Sequence, residues 1–171
     1  MTRRAATPDR CGVTLLEVMT TLALSATLMT SSMVVLRSSY ATWRLHEEEL
    51  DRAGAANAVL RHLVRGVRQA NAVTAVTATA APNGALSVQL NDGLVATWTY
   101  SSGTVLYQMT GGSPQTLSDN ITGLSFTGYE ADGVTTTDNP SDIHALRCAV
   151  TTTLPSGANR TASSFTWVRA W

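Results

Sequence analysis

The heptapeptide Gly12-Val13-Thr14-Leu15-Leu16-Glu17-Val18 decides how the rest of this chain is read. A short basic stretch precedes it and a long apolar run follows it. Glu17 therefore falls inside a segment that otherwise reads as membrane helix. An ionisable group in hydrocarbon is costly and marks a functional site by default. It needs a partner. The simplest is an amine at the same depth, and cutting the chain between Gly12 and Val13 creates one.

The apolar run covers residues 13–36, which is 24 residues. At ~1.5 Å per residue that makes about 36 Å of helix, enough for a hydrocarbon core of ~30 Å. Glu17 is its only formally charged side chain. Thr14, Thr20, Thr21, Ser25, Thr27, Thr30, Ser31 and Ser32 add hydroxyls that can bond back to helix carbonyls or across to neighbouring helices. Such a segment suits packing against other helices better than lying alone in lipid. Arg3, Arg4 and Arg10 on the N-terminal side place that end in the cytoplasm by the positive-inside rule. A cleavable secretory signal is the competing reading. It would need a shorter apolar region ending at small residues, and Leu24-Ser25-Ala26 is a poor match.

Beyond Leu36 the chain turns polar without breaking, and no Gly or Pro occurs from Val13 through Ala53. Leu50, Ala53, Ala56, Leu60, Leu63, Val67 and Ala70 recur at three- and four-residue spacing, one stripe of an amphipathic helix. Arg61, Arg65 and Arg68 share another, solvated face, and Glu47-Glu48-Glu49 reads as a wet acidic run. The expectation is one helix from Val13 to about Val67, about 80 Å long. Residues 13–36 form its transmembrane half and residues 37–70 its amphipathic half.

The heptapeptide and the helix behind it resemble the class III signal of type IV prepilins and type II secretion pseudopilins. The family pattern is Gly, usually Phe, then Thr-Leu-(Ile/Leu)-Glu-Val and an apolar helix. This chain matches at Gly12, Thr14, Leu15, Leu16, Glu17 and Val18 and departs at Val13, where Phe is commonest. The resemblance implies that a membrane-embedded prepilin peptidase removes residues 1–12 as a cytoplasmic leader. It further implies that the new amine of Val13 is methylated, and that Glu17 serves as the charge that guides filament assembly. Glu17 would pair with the Val13 amine of an adjacent subunit and so fix axial register. Major pilins often carry Gly or Pro within the membrane half, and their absence from residues 13–36 leans toward a minor, non-repeating subunit.

From residue 71 the pattern changes to short alternating runs with turn signals, as in an antiparallel sheet. Pro82-Asn83-Gly84 is a turn, residues 85–90 alternate, and Asn91-Asp92-Gly93 is a hairpin signal. Residues 94–100, the turn Ser101-Ser102-Gly103 and residues 104–109 complete a three-strand meander. Residues 110–114 form a Gly-rich loop, 121–129 a fourth strand and 130–142 a long polar loop. Residues 143–154 and 161–171 are the last two strands, joined at Pro155-Ser156-Gly157. One helix followed by a run of strands gives an α+β domain, and with the leader resemblance a pilin-like one: a long N-terminal helix packed on a β-rich domain over residues 71–171. The stretch Asn120-Ile121-Thr122-Gly123-Leu124-Ser125-Phe126-Thr127-Gly128-Tyr129-Glu130-Ala131-Asp132-Gly133 is similar to the J-type minor pseudopilins and W-type minor pilins. So are Ala145-Leu146-Arg147 and a C-terminal strand ending near an Arg, here Arg169.

Composition narrows the function. The formal net charge is zero, with twelve acids against twelve cations, all of them Arg. The leader carries a net +2, and the remainder shows no basic excess that would mark a nucleic-acid partner. Without Lys there is no Schiff base and no P-loop contact. Cys11 lies in the leader, so loss of the leader leaves Cys148 alone as a buried, inert thiol and the mature domain without a disulfide. Glu130, Asp132, Asp138 and Asp142 are read as solvated loop acids rather than a Ca²⁺ site, since their spacing is not that of an EF-hand. His46, His62 and His144 are too scattered for a metal motif. Gly111-Gly112-Ser113-Pro114-Gln115 lacks the second Gly of a nucleophile elbow. Asn120-Ile121-Thr122 and Asn159-Arg160-Thr161 are sequons in a Thr-rich chain. Trp98, Trp167, Trp171, Tyr100 and Tyr107 are expected in sheet or core packing. No cofactor, metal or enzyme activity is expected.

The expected protein is a structural subunit, a minor pseudopilin or minor pilin. Its partners are prepilin peptidase, other pilin-like subunits and the inner membrane. It is single-pass, with a cytoplasmic N-terminus and a periplasmic C-terminal domain, and it then enters a pilus or pseudopilus. The reading from another class is an uncleaved single-pass anchor displaying a binding module, which needs neither Gly12 nor Glu17.

Overall fold

The computed structural model describes residues 12–79 and 81–168. Arg3, Arg4, Arg10, Cys11, Arg169 and Trp171 lie outside the described residues. One helix, α1 (Leu15–Arg68), runs unbroken for 54 residues. Glu17 stands in its first turn and Arg65 and Arg68 in its last, each sign where it complements the helix dipole. The helix closes at Gln69, whose N–H donates to the carbonyls of Arg65 (3.3 Å) and Gly66 (3.1 Å). The chain divides into two compact units, Met1–Arg44 and Leu45–Trp171.

The first unit is helical wherever it is described beyond Thr14. Every residue from Gly12 to Glu48 is exposed, the apolar run included.

In the second unit α1 turns amphipathic. Ala56, Val59, Leu60, Leu63 and Val67 are buried and fall on one face. The expected stripe holds except at its start: Leu50 is 72 % exposed, and Val59, outside the expected set, is buried. That face lies in one core with two antiparallel sheets. The first sheet is a meander of five strands in chain order: β1 (Ala70–Val76), β2 (Ala85–Leu90), β3 (Val95–Ser101), β4 (Thr104–Met109) and β5 (Gln115–Ser118). The second holds β6 (Gly123–Tyr129), β7 (Thr136–Thr137), β8 (Ala145–Thr153) and β9 (Asn159–Trp167), in the order β7-β6-β8-β9. A long helix packed on antiparallel sheets is the α+β, pilin-like arrangement expected.

Local chemistry sets the turns. The β2–β3 hairpin closes at Asn91-Asp92-Gly93, where Asp92 Oδ1 accepts from the N–H of Leu94 at 3.0 Å. The β3–β4 hairpin needs left-handed backbone at Ser102 (φ 47°) and Gly103 (φ 87°), the geometry of a tight two-residue loop. Three strands lie outside the sequence expectation. β1 carries register shifts at Ala70/Ala72 and Val73/Ala75, which break the period-two signal. β5 is a short edge strand, and the polar loop over residues 130–142 contains β7 and a 3-10 turn (Pro140–Asp142).

The two sheets meet at Gly84. Its N–H donates to the Leu124 carbonyl at 2.7 Å, and the Leu124 N–H donates to the Pro82 carbonyl at 2.9 Å. A Cβ at position 84 would lie 2.6 Å from that same Leu124 oxygen, so only glycine allows the backbones to approach this closely. Leu86, Val88 and Trp98 of the first sheet and Leu124, Phe126, Leu146, Cys148 and Val150 of the second complete the core, each with 1 % exposure or less. Alternate burial along β2, β3, β6 and β8 is what points these residues inward.

Candidate functional site

The heptapeptide spans the start of α1. Gly12, Val13 and Thr14 precede the helix and are exposed. The Gly12–Val13 peptide bond therefore sits in accessible, non-helical chain, the form in which a peptidase takes its substrate. Thr14 caps the helix. Its carbonyl accepts from the N–H groups of Glu17 (3.1 Å) and Val18 (3.2 Å), and its Oγ1 accepts from the Glu17 N–H at 3.3 Å. Thr14 and Glu17 thus stand at the two positions of a capping box, in which a hydroxyl and a carboxylate settle orphan amides at a helix start. That pattern is legible as Thr-x-x-Glu in the sequence and forms no part of the expectation above. Four residues, about one turn, separate Val13 from Glu17.

Thirteen large apolar side chains between Val13 and Leu36 are exposed, Leu15 by 80 %. Each such side chain gains roughly 1.5–3 kcal/mol when removed from water. A contiguous surface of this kind marks an interaction with membrane or with other helices. Among the described residues α1 is the one helix long and apolar enough to cross a membrane. The hydroxyls of this stretch turn back on their own helix: Thr21 Oγ1 donates to the Glu17 carbonyl (2.9 Å), Thr27 Oγ1 to Leu24 (2.8 Å) and Ser31 Oγ to Thr27 (2.8 Å). Their polarity is thereby masked from an apolar medium.

Just past Leu36 come Arg37, Tyr40, Trp43 and Arg44. Tyr40 and Trp43 are exposed, one turn apart, with ring centroids 6.2 Å from each other. Amphipathic rings beside arginines suit the headgroup boundary of a bilayer. These residues carry a signal readable in the sequence that the expected set does not include.

The globular unit offers little chemistry. Cys148 is buried, and desolvation pushes its thiol up to about 12. Three of the four acids of residues 130–142 accept hydrogen bonds. Asp132 accepts from the N–H groups of Val134 and Thr135 (2.9 Å each) and from Thr135 Oγ1, bonds that hold its carboxyl below the usual range. Asp138 accepts from the N–H of Thr79 at 2.9 Å, and Asp142 from Asn139 Nδ2 at 2.7 Å. Among the described residues no three His, Cys, Asp or Glu stand together as metal ligands. His62 is tied to the core: its Nδ1 accepts from Trp98 Nε1 at 3.1 Å. Trp98 and Tyr107 pack as expected, whereas Trp167 is about half exposed.

No family model, curated protein or solved structure matches this chain.

Proposed function

We propose that this chain is a minor pseudopilin or minor pilin subunit of a type II secretion or type IV pilus-like machine. Prepilin peptidase cuts between Gly12 and Val13, the Val13 amine is methylated, and α1 carries the subunit from the inner membrane into a helical filament. Arg3, Arg4 and Arg10 hold the leader in the cytoplasm, and the β-rich domain stands in the periplasm. The observation that carries this reading is the placing of Glu17: four positions after Val13, in the capped first turn of a helix whose apolar residues up to Leu36 are all exposed.

The physical mechanism is a charge pair in low dielectric. A carboxylate and an ammonium attract far more strongly there than in water, although desolvation opposes them. A subunit entering the filament satisfies its own Glu17 with the Val13 amine of a neighbour, and the pairing sets axial register. The hydroxyls of Thr20, Thr21, Thr27, Thr30 and Ser31, already bonded to helix carbonyls, cost little in either surrounding. Glu17→Leu tests the idea. The variant should reach the membrane and be cut normally, yet enter filaments poorly. Wild-type assembly of that variant would sink the pairing mechanism.

A further inference from the structure

We propose that the groove between α1 and β9 docks an extended acidic segment of a neighbouring polypeptide, which adds to the edge of β9 and sets its carboxylates against Arg61, Arg65 and Arg68. The groove, of about 950 Å³, is lined on the helix side by Asn57, Leu60 and the three arginines and on the sheet side by Ser163 and Ser164. Arg61, Arg65 and Arg68 are all exposed. Arg147, on β8, donates from its Nη2 to Ser163 Oγ at 3.4 Å.

Charge complementarity names the occupant. From Leu45 onward the chain holds seven arginines and ten acids, so this unit is acidic as a whole. Three of those seven arginines line one groove, and among the described residues no acid lines it. Partial burial first, and the charge of the neighbouring Arg65 second, hold His62 below its ordinary pKa. A partner with carboxylates finds here what the rest of the unit repels.

The edge strand fixes the partner's shape. Among the described residues β9 ends its sheet, so one of its long sides carries no strand. An extended chain can pair there through its backbone and reserve its side chains for specificity. Alternate residues of a strand point the same way about 6.6 Å apart. Arg61, Arg65 and Arg68 rise along the helix by steps of about 6 and 4.5 Å. A segment with an acid at every second position repeats its carboxylates at a spacing close to the first of these steps and about 2 Å longer than the second. Lipid headgroups or nucleic acid would use the charge and leave the strand edge unused. The inference is independent of leader cleavage.

The test uses the full chain in detergent micelles and a labelled eight-residue peptide of alternating Glu and Thr. Anisotropy should report binding that weakens about tenfold or more in Arg61→Gln/Arg65→Gln and is unchanged in Arg37→Gln. Backbone amides of β9 should gain hydrogen-exchange protection with the peptide bound. Equal binding by the double variant overturns the proposal, as does binding that leaves β9 unprotected. Failure of the peptide to bind, with phosphatidylglycerol vesicles or single-stranded DNA binding through the same arginines, overturns it in favour of that ligand class. The substituted side chains are exposed, and an unchanged melting temperature will show that the variant still folds.

Discussion

The indole of Trp98 occupies the space a side chain at Gly66 would need: a Cβ there would lie 2.5 Å from both Cζ2 and Cη2 of the ring. Trp98 is fully buried. Helix α1 and strand β3 thus meet through a glycine in mid-helix, where glycine costs about 1 kcal/mol relative to alanine. Gly66→Ala should recover that helix propensity and lose more, because overpacking a filled core costs typically 1–3 kcal/mol. The expected result is a melting temperature lower by about 2–8 °C, with a shifted Trp98 emission. A variant as stable as the parent would mean the ring can move aside.

The bond from Trp98 Nε1 to His62 Nδ1 makes the same contact sensitive to acid. A protonated imidazole has no lone pair left to accept that hydrogen. Partial burial first, and the Arg65 charge second, hold the His62 pKa in the folded protein below its ordinary value of 6.5. The unfolded chain therefore takes up this proton before the folded one does. Stability is complete above about pH 6.5 and declines as pH falls toward the folded value. Thermal unfolding followed between pH 7.5 and 5 should show this decline in the parent. His62→Gln, which keeps an acceptor for Trp98 and does not titrate, should show a smaller one. An equal decline in both would assign the sensitivity elsewhere.

Cys148 offers a probe of core integrity. Burial both blocks reagents and keeps the thiol protonated, and the thiolate is the reactive form. Alkylation with iodoacetamide, mapped by peptide mass, should leave Cys148 unmodified in the native chain and modify it fully in denaturant. Rapid native labelling at neutral pH would contradict the packing of β8 against the helix.

Much of this fold is legible in the residues. Freedom from Gly and Pro across residues 13–53 announces the long helix, and Asn91-Asp92-Gly93 and Ser101-Ser102-Gly103 announce the central hairpins. What escapes is non-local or irregular. β1 is bulged and built of small residues, so its alternation is blurred. The division into two sheets depends on Gly84 meeting Leu124, a contact between distant segments. The stripe on α1 holds from Ala56 onward with Val59 added to it, while Leu50 stays exposed, a difference set by where the sheets end and not by helical spacing. At the candidate site Glu17 is legible as a charge in an apolar run, and the capping relation with Thr14 is legible too, though it is a separate role. The arginine groove is not legible, since Arg61, Arg65 and Arg68 read as a wet face until folding brings Ser163 and Ser164 beside them.

The central claim is that the chain is a prepilin-like precursor. Co-expressing the full chain with a prepilin peptidase and determining the intact mass and N-terminal sequence tests it most directly. A product beginning at Val13, with an added methyl on its amine, is the expected result. A chain that still begins at Met1 contradicts the claim and leaves an uncleaved anchor displaying a binding module, and a start beyond Ala26 contradicts it in favour of an ordinary secreted protein.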